Sequence, residues 1–438
     1  MSASAATLQP APRLRVRWRI ALFLFGFGLI GYLQRNNIPV AGYRMMPELG
    51  LSQMQIGWLE TAFIVGYTIT QFPGGVLGQR LGARVMLIAI SLVAVLATLT
   101  VPVAPLLAQG SALFAVLLGA QLVLGLAQGP IFPVSTGAFE AWFRPDKWSL
   151  VQGLQSMGAD LGASVAPRLI TWLISIFSWQ RALAWTALPA VALIAGWAWY
   201  GRDTPAEHPA VTPAELAELD APGEVRITRA ISWSGVWALL KNRDVLLLTL
   251  SYLGMNYAFY LLSNWCFLYL IQERHFTDIE SGWLAGAPPL AAAIGAGLGG
   301  KLGSYFGTRY GVRAGLRIVP LAALPAAALM QYAAVYAPNG YVAVAALALC
   351  FAAVELTEGP YWAAIMHVAR EDSMSAGGLL NTGGNLGGVI ATPLIAYFSG
   401  RHAWNTAFLL GAVFAVASGA LWLLIDPTRR VARSPAPA

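Results

Sequence analysis

Twelve apolar runs, most of them 20 residues or longer, dominate the chain. They fall at 20–42, 54–79, 85–106, 110–141, 149–177, 180–200, 244–272, 280–304, 314–336, 340–367, 375–399 and 403–425. An apolar helix of about 20 residues matches the ~30 Å hydrocarbon core of a bilayer. Lipid offers the backbone no hydrogen bonds, so each run must satisfy its own N–H and C=O groups as a helix. The pattern predicts an all-α membrane protein with twelve transmembrane helices. Only 11% of residues are charged, against about 25% in soluble domains.

Charge placement sets the expected orientation. With the N-terminus inside, most of the 27 Lys and Arg fall on the cytoplasmic side. Only Arg44, Arg181, Arg274 and Arg401 fall to outer loops, and Arg35 and Arg168 lie within spans. The positive-inside rule then puts both termini in the cytoplasm of a multi-pass inner (plasma) membrane protein. Basic residues spread over loop ends give no nucleic-acid face. The first run is too long for a signal peptide and lacks an A-x-A-like site, so it is expected to be retained. Cys266 and Cys350 sit inside spans and read as small apolar filler.

The chain is doubled. GVLGQRLGAR (75–84) matches GKLGSYFGTR (300–309) at a shift of 225, and Asp160-Leu161-Gly162 matches Asn385-Leu386-Gly387 at the same shift. GLAQGP, ending at Pro130, resembles ELTEGP, ending at Pro360, at a shift five residues longer. Two pseudo-symmetric six-helix bundles follow, a known transporter plan with the binding site between the halves near the midplane. The expected organisation is a cytoplasmic tail at 1–19, bundles at 20–200 and 244–426, a cytoplasmic linker at 201–243 and a tail at 427–438. TPAELAELD, Thr212 to Asp220, reads as a short capped surface helix without chemistry of its own.

Twelve helices, a central linker and the repeated G-x-L-G-x-x-x-G-x-R resemble the major facilitator superfamily. Within it, the chain resembles the anion:cation symporter family of hexuronate, galactonate, tartrate and phthalate transporters and sialin. YLQRNNIPVA resembles that family's Y-L-D-R-x-N-I in helix 1, and VLGLAQGPIFP its L-L-G-x-x-E-A-x-F-x-P in helix 4. EGPYWA and LNTGGNLGG resemble its G-P-F-W-A-L-P and I-N-S-I-G-N-L-G-G in helices 10 and 11. The resemblance implies a secondary transporter of a small organic anion, such as a sugar acid or other carboxylate, working by alternating access and coupled to protons. An uncoupled facilitator or exchanger is the alternative, and a transporter-like ligand sensor a more distant one. No cofactor or metal is implied, and a monomer is expected. Walker-type, G-x-S-x-G and H-E-x-x-H motifs are missing from the sequence, so it reads as a non-enzyme.

Arg35 is the foremost binding candidate. A charge at mid-helix costs roughly 2.5–3.5 kcal/mol on insertion scales and normally faces a polar cavity. Its planar fork fits a carboxylate bidentately. The alternative is a structural arginine tied to helix-end carbonyls or a carboxylate. Tyr32 lies one turn before it, and Tyr67 takes the position of a binding-site tyrosine in the resembled family. Gln128, Asn256, Asn264, Trp362, Asn381 and Asn385 complete the expected binding set.

Departures from the resembled pattern direct the coupling reading. Gln34, Gln121, Gln128 and Gln79 stand where that family usually has charges, and an amide cannot load and release a proton. Glu358, Glu355 and Asp160 are therefore the expected proton-coupling residues. Glu355 and Glu358 are placed on one helical turn, with a fixed ion pair to Arg35 or Arg168 as the alternative. The expected gating motif is Gly75, Gln79, Arg80, Gly82 and Arg84, repeated as Gly300, Gly307 and Arg309. Because Gln79 offers only neutral hydrogen bonds, Gln79→Asp is expected to tighten the closed cytoplasmic side.

Overall fold

The computed structural model describes residues 15–219, 231–277, 280, 284 and 286–431. Span 1 is α1 (Val16–Arg35) and α2 (Asn37–Leu49), spans 2 and 3 are α3 (Gln53–Leu81) and α4 (Ala83–Leu107). Span 4 is α5 (Gly110–Gln128) and α6 (Ile131–Trp142), followed by α7 (Trp148–Ile176) and α8 (Trp179–Tyr200) as spans 5 and 6. The linker carries α9 (Pro213–Leu219) and α10 (Trp233–Lys241). Span 7 is α11 (Arg243–Gln272), and spans 8 and 9 form one bent element, α12 (Ala287–Val335). Span 10 is α13 (Gly340–Glu355) and α14 (Glu358–Ala369), and α15 (Ser373–Ser399) and α16 (Trp404–Leu421) are spans 11 and 12. Residues 281–283 and 285 of the run expected at 280–304, and residues 220–230 of the linker, lie outside the described residues.

Among the described residues, eight segments are apolar and long enough to cross a membrane by themselves. Two of these, Ala287–Val335 and Gly340–Ser399, each hold two spans. The two remaining spans, α3 and α7, are more polar because they face the other bundle across the interface rather than lipid alone. Buried Gln71 and Gln79 on α3, and Gln152, Gln155 and Asp160 on α7, account for this.

Local chemistry explains the helix ends. Ser52 and Gln55 form a capping box at the start of α3, with reciprocal hydrogen bonds of 3.2 and 2.8 Å. Asn242 Oδ1 accepts from the N–H groups of Asp244 and Val245 at 2.9 and 3.0 Å at the start of α11. Span 1 breaks at Asn36, whose Nδ2 donates to Tyr32 O at 2.8 Å, while Asn37 Nδ2 donates to Thr186 Oγ1 at 3.0 Å. Asn36 satisfies a carbonyl at the helix break inside the membrane and Asn37 ties the break to span 6, which accounts for their place in an apolar run.

The linker helix does more than cover the surface. Thr212 Oγ1 accepts from Glu215 N–H at 3.2 Å, as the cap predicts. The Glu215 carboxylate, however, turns to the first turn of α1 and accepts from the N–H groups of Val16 and Arg17 at 3.4 and 3.3 Å. Glu218 pairs with Arg15 and with Arg17. The start of span 1 meets the linker, and Val431, beyond span 12, meets the end of span 10 through its N–H to Val368 O at 3.0 Å, on the terminal face.

The repeat is imperfect in one place. Gly82 turns the chain from span 2 into span 3 at φ +83°, ψ 156°. The matching turn between spans 8 and 9 is made by Gly311 at φ +81°, ψ 160°, and not by Gly307. The motif match had placed Gly307 opposite Gly82. Span 8 instead runs four residues further, about one helical turn, so its faces keep their register.

The bundles are joined through α3 and α15, α6 and α15, α7 and α12, and α7 and α14. The backbones meet closely toward the terminal face. A Cβ on Gly75 would stand 2.2 Å from Met374 O, and one on Gly300 would stand 2.6 Å from Ser149 O. Any side chain at either position would hold the bundles apart, so the terminal face is shut.

Candidate functional site

A small polar cavity lies between the bundles. Tyr32, Arg35, Tyr67, Asp160, Asn256, Glu355, Glu358, Trp362, Asn381 and Asn385 all line it. These sequence-predicted residues come from spans 1, 2, 5, 7, 10 and 11, so the fold gathers distant motifs into one polar chamber.

Arg35 is the last residue of α1 and ends in an aromatic setting. Its guanidinium carbon lies 5.3 Å from the ring centres of both Tyr32 and Phe63, and 5.6 Å from that of Tyr67. It faces the Tyr260 hydroxyl of the opposite bundle. No carboxylate forms an ion pair with it among the described residues. Rings on several sides favour the cation through their π faces and leave donors of the fork for an anion. Across the chamber, the Tyr67 hydroxyl lies beside the Asn381 side chain. Tyr260 OH donates to Asn385 Oδ1 at 2.5 Å, and Asn385 Nδ2 donates to Asn381 O at 2.9 Å.

The acids stand opposite this cation. Glu358 Oε1 accepts from Tyr252 OH and Oε2 from Trp362 Nε1, both at 2.8 Å, and Ser156 lies nearby on the chamber wall. Asp160 of span 5 meets Glu355 of span 10 carboxyl to carboxyl. That contact crosses from one bundle to the other. Neither Arg35 nor Arg168 holds the Glu355–Glu358 pair; Arg168 is exposed and off the cavity.

Glu355 and Glu358 do not share one continuous turn. Leu356 and Thr357 break span 10 between them, so Glu355 ends α13 and Glu358 begins α14. A helix N-terminus favours negative charge and a C-terminus disfavours it. The two acids therefore sit in opposite backbone fields while facing the same chamber.

Two binding expectations need correction. Gln128 is outside the chamber's lining and sits in a small adjoining pocket beside Arg35 and Tyr32. Its Nε2 donates to Gln34 Oε1 at 3.2 Å, so two of the glutamines that replace expected charges pair with each other. Asn264 is exposed and does not line the chamber. At 100° per residue it lies about 120° around α11 from Tyr252. Sequence reading missed Tyr252, Tyr260, Phe259, Ser156, Ala159 and Phe132, which also line the chamber. The stripe Tyr252, Asn256 and Tyr260 at spacing four, and Ser156 one turn before Asp160, carried that signal.

The gating residues divide. Gln79 Nε2 donates to Asp372 Oδ1 at 2.6 Å and to Glu371 O at 2.8 Å, and its Oε1 accepts from Ser375 Oγ at 2.6 Å. It thus ties span 2 to the start of span 11. Arg84 bonds to the linker and to span 6, from N–H to Asp203 Oδ1 at 2.8 Å and from its guanidinium to Ala198 O at 2.7 Å. Burial pushes the Asp203 carboxyl above its ordinary range, against the pull of those N–H donors. Arg80 and Arg309 are exposed, and Gly307 lies inside α12.

The sequence profile of the Major Facilitator Superfamily matches residues 23–392. The chain belongs to the Major Facilitator Superfamily. Its fold is that of the superfamily's solved members. The proton:xylose symporter XylE superposes with a TM-score of 0.78 at 11% identity, covering 94% of this chain and 96% of that one. The transporter FucP in its outward conformation gives 0.69 at 14% identity, covering 94% and 100%. Among curated superfamily relatives, the chain is 27% identical to the probable sulfoacetate transporter SauU of Cupriavidus necator, over 95% of each. It is also 27% identical to the hexuronate transporter of Bacillus subtilis, over 91% of this chain and 92% of that one. Like other superfamily members it is a multi-pass transporter and not an enzyme.

Proposed function

We propose that the protein is a secondary transporter that moves a small organic anion by alternating access, with proton coupling. The observation that carries the reading is Arg35. It is a membrane cation caged by aromatic rings and facing a polar chamber, with three carboxyl groups on the other walls. Relatives named for sulfoacetate, hexuronate and galactarate/D-glucarate support the substrate class. In this reading Arg35 anchors the acid group, while Tyr32, Tyr67, Asn256, Trp362, Asn381 and Asn385 hold the rest of the molecule.

Proton coupling falls to Glu358, Glu355 and Asp160. Two carboxyl groups in contact share a proton more readily than they carry two charges. The Asp160–Glu355 contact then clasps the bundles when a proton is present and loosens when it leaves. The bundles that move are residues 20–200 and 244–426. The basic loops support an inner-membrane protein with both termini in the cytoplasm, and in this reading the shut terminal face is the cytoplasmic one.

Uptake by purified protein in proteoliposomes tests the whole reading. Hexuronate, galactarate and sulfoacetate serve as trial anions, with and without an inward proton gradient. Accumulation of one of them against its gradient is expected. Equilibration without any response to the pH gradient would leave an uncoupled facilitator.

A further inference from the structure

A second cleft opens at the terminal face and shares no lining residue with the central chamber. Its walls come from both bundles. Arg144 and Asp146 belong to the loop between spans 4 and 5, Gly307 and Leu316 to α12, and His367 and Arg370 to the end of span 10. It exists as a closed shape only while the terminal face is shut.

Its chemistry is that of an anion site with an apolar floor. Arg144 lines the cleft beside Asp146, which Lys147 also meets at 3.4 Å, and Arg370 lines it from the side that faces Glu140. Arg144 meets Asp146 only at 3.6 Å, with both side chains partly exposed, 56% and 35%. Such a pair contributes little and leaves donors for a ligand. His367 and Arg370 are both fixed against the ring of Trp148, at 4.8 and 5.1 Å. Leu316 offers an apolar surface beside them.

Gly307 supplies an independent observation. A glycine inside a helix costs roughly 0.5–1 kcal/mol relative to alanine. The turn that would require it is made by Gly311 instead. Gly75, Gly300 and Gly303 are each pressed against the facing bundle, but a Cβ on Gly307 would meet nothing within 4 Å. Packing does not demand this glycine, and its missing side chain keeps the cleft open.

We propose that the cleft is a second anion site, taking a carboxylate or phosphate group attached to an apolar part, and that its occupant holds the terminal face shut. The inference rests on the alternating-access reading, because only a site built from both bundles can bias their arrangement. One ligand chemistry has two sources: a free amphiphilic anion and the headgroup of an anionic lipid.

The test reads binding and not transport. Full-length protein carrying Arg35→Gln, which silences the central chamber, is held in neutral detergent at constant ionic strength. Thermal unfolding is followed against phenyl phosphate and, separately, against added phosphatidylglycerol. A ligand that binds only the folded state raises the midpoint with a saturating dependence. Such a rise is expected, and Arg144→Gln and Gly307→Leu should each abolish it. Gly307→Leu fills open space, so it tests the cleft without crowding the fold. A rise with phenyl phosphate assigns a free anion, and a rise with phosphatidylglycerol alone assigns a lipid headgroup. No rise with either, or the same rise in both variants, overturns the proposal. If Arg35→Gln does not fold, the part of the wild-type shift that Arg144→Gln removes gives the same answer. A protein that fails to transport could still pass this test, so the two readings fail separately.

Discussion

Gln79 and Asp372 are bound across the bundle interface, amide nitrogen to carboxylate oxygen, at 2.6 Å. The acid of this contact is on span 11's side, and the neutral donor is on span 2. That arrangement reverses the expectation drawn from the sequence. Gln79→Asp would set a second carboxylate against Asp372 and against Glu371 O, and so would loosen the terminal face. Distances between spin labels on the terminal ends of α3 and α15 should lengthen in Gln79→Asp. Adding Asp372→Asn should restore them. A shorter or unchanged distance in the single variant would retire this account of the gate.

Arg35→Lys keeps the charge but loses the planar fork. Hydrogen bonds to charged groups contribute about 1.5–3 kcal/mol each. Losing one should weaken anion binding by about tenfold or more, while the protein still inserts and folds. Ligand-dependent thermal stabilisation and uptake, measured on one preparation, check this. Wild-type affinity in Arg35→Lys would remove the anchor role.

Glu358→Gln should abolish uptake driven by an inward proton gradient and preserve exchange of labelled for unlabelled substrate at equal pH. The amide can still accept from Trp362 or Tyr252 but cannot carry a proton. Full gradient-driven uptake by the variant would move the proton role to the Asp160–Glu355 contact. Wild-type uptake indifferent to the gradient would end the coupling claim altogether.

Glu215→Ala should cost about 1 kcal/mol, the usual size of a lost helix cap. It leaves the first N–H groups of α1 without their carboxylate, far from the chamber. The expected signature is a lower unfolding temperature with unchanged substrate affinity. A drop in affinity would mean that the linker acts on the site and not only on the helix end.

Much of this was legible in the sequence, because lipid narrows the choices. Apolar length located the spans, and intramembrane polar residues such as Arg35, Asp160 and Glu358 were costly enough to mark the chamber. Tyr252 and Tyr260 escaped notice because a tyrosine in a membrane helix is also an ordinary packing residue. Asn264 misled because α11 outruns the chamber, and its spacing rotates the side chain away. The turn at Gly311 was hidden because four added residues restore the helix face, so the motif match at 225 still fits Gly300 against Ser149. Asp372 was invisible as Gln79's partner because nothing in a linear motif says what lies across an interface.

The Gln34–Gln128 pair has a consequence for electrical behaviour. Moving one elementary charge across a membrane potential is worth about 2.3 kcal/mol per 100 mV. Two amides bonded to each other carry dipoles but no net charge, so the field exerts almost no force on that part of the first bundle. Within the chamber wall, voltage acts on Arg35, Asp160, Glu355 and Glu358, together with whatever anion and protons are bound. An anion carried with as many protons as it has charges would then cross without net current. The ratio of current to flux therefore counts the protons that accompany each anion.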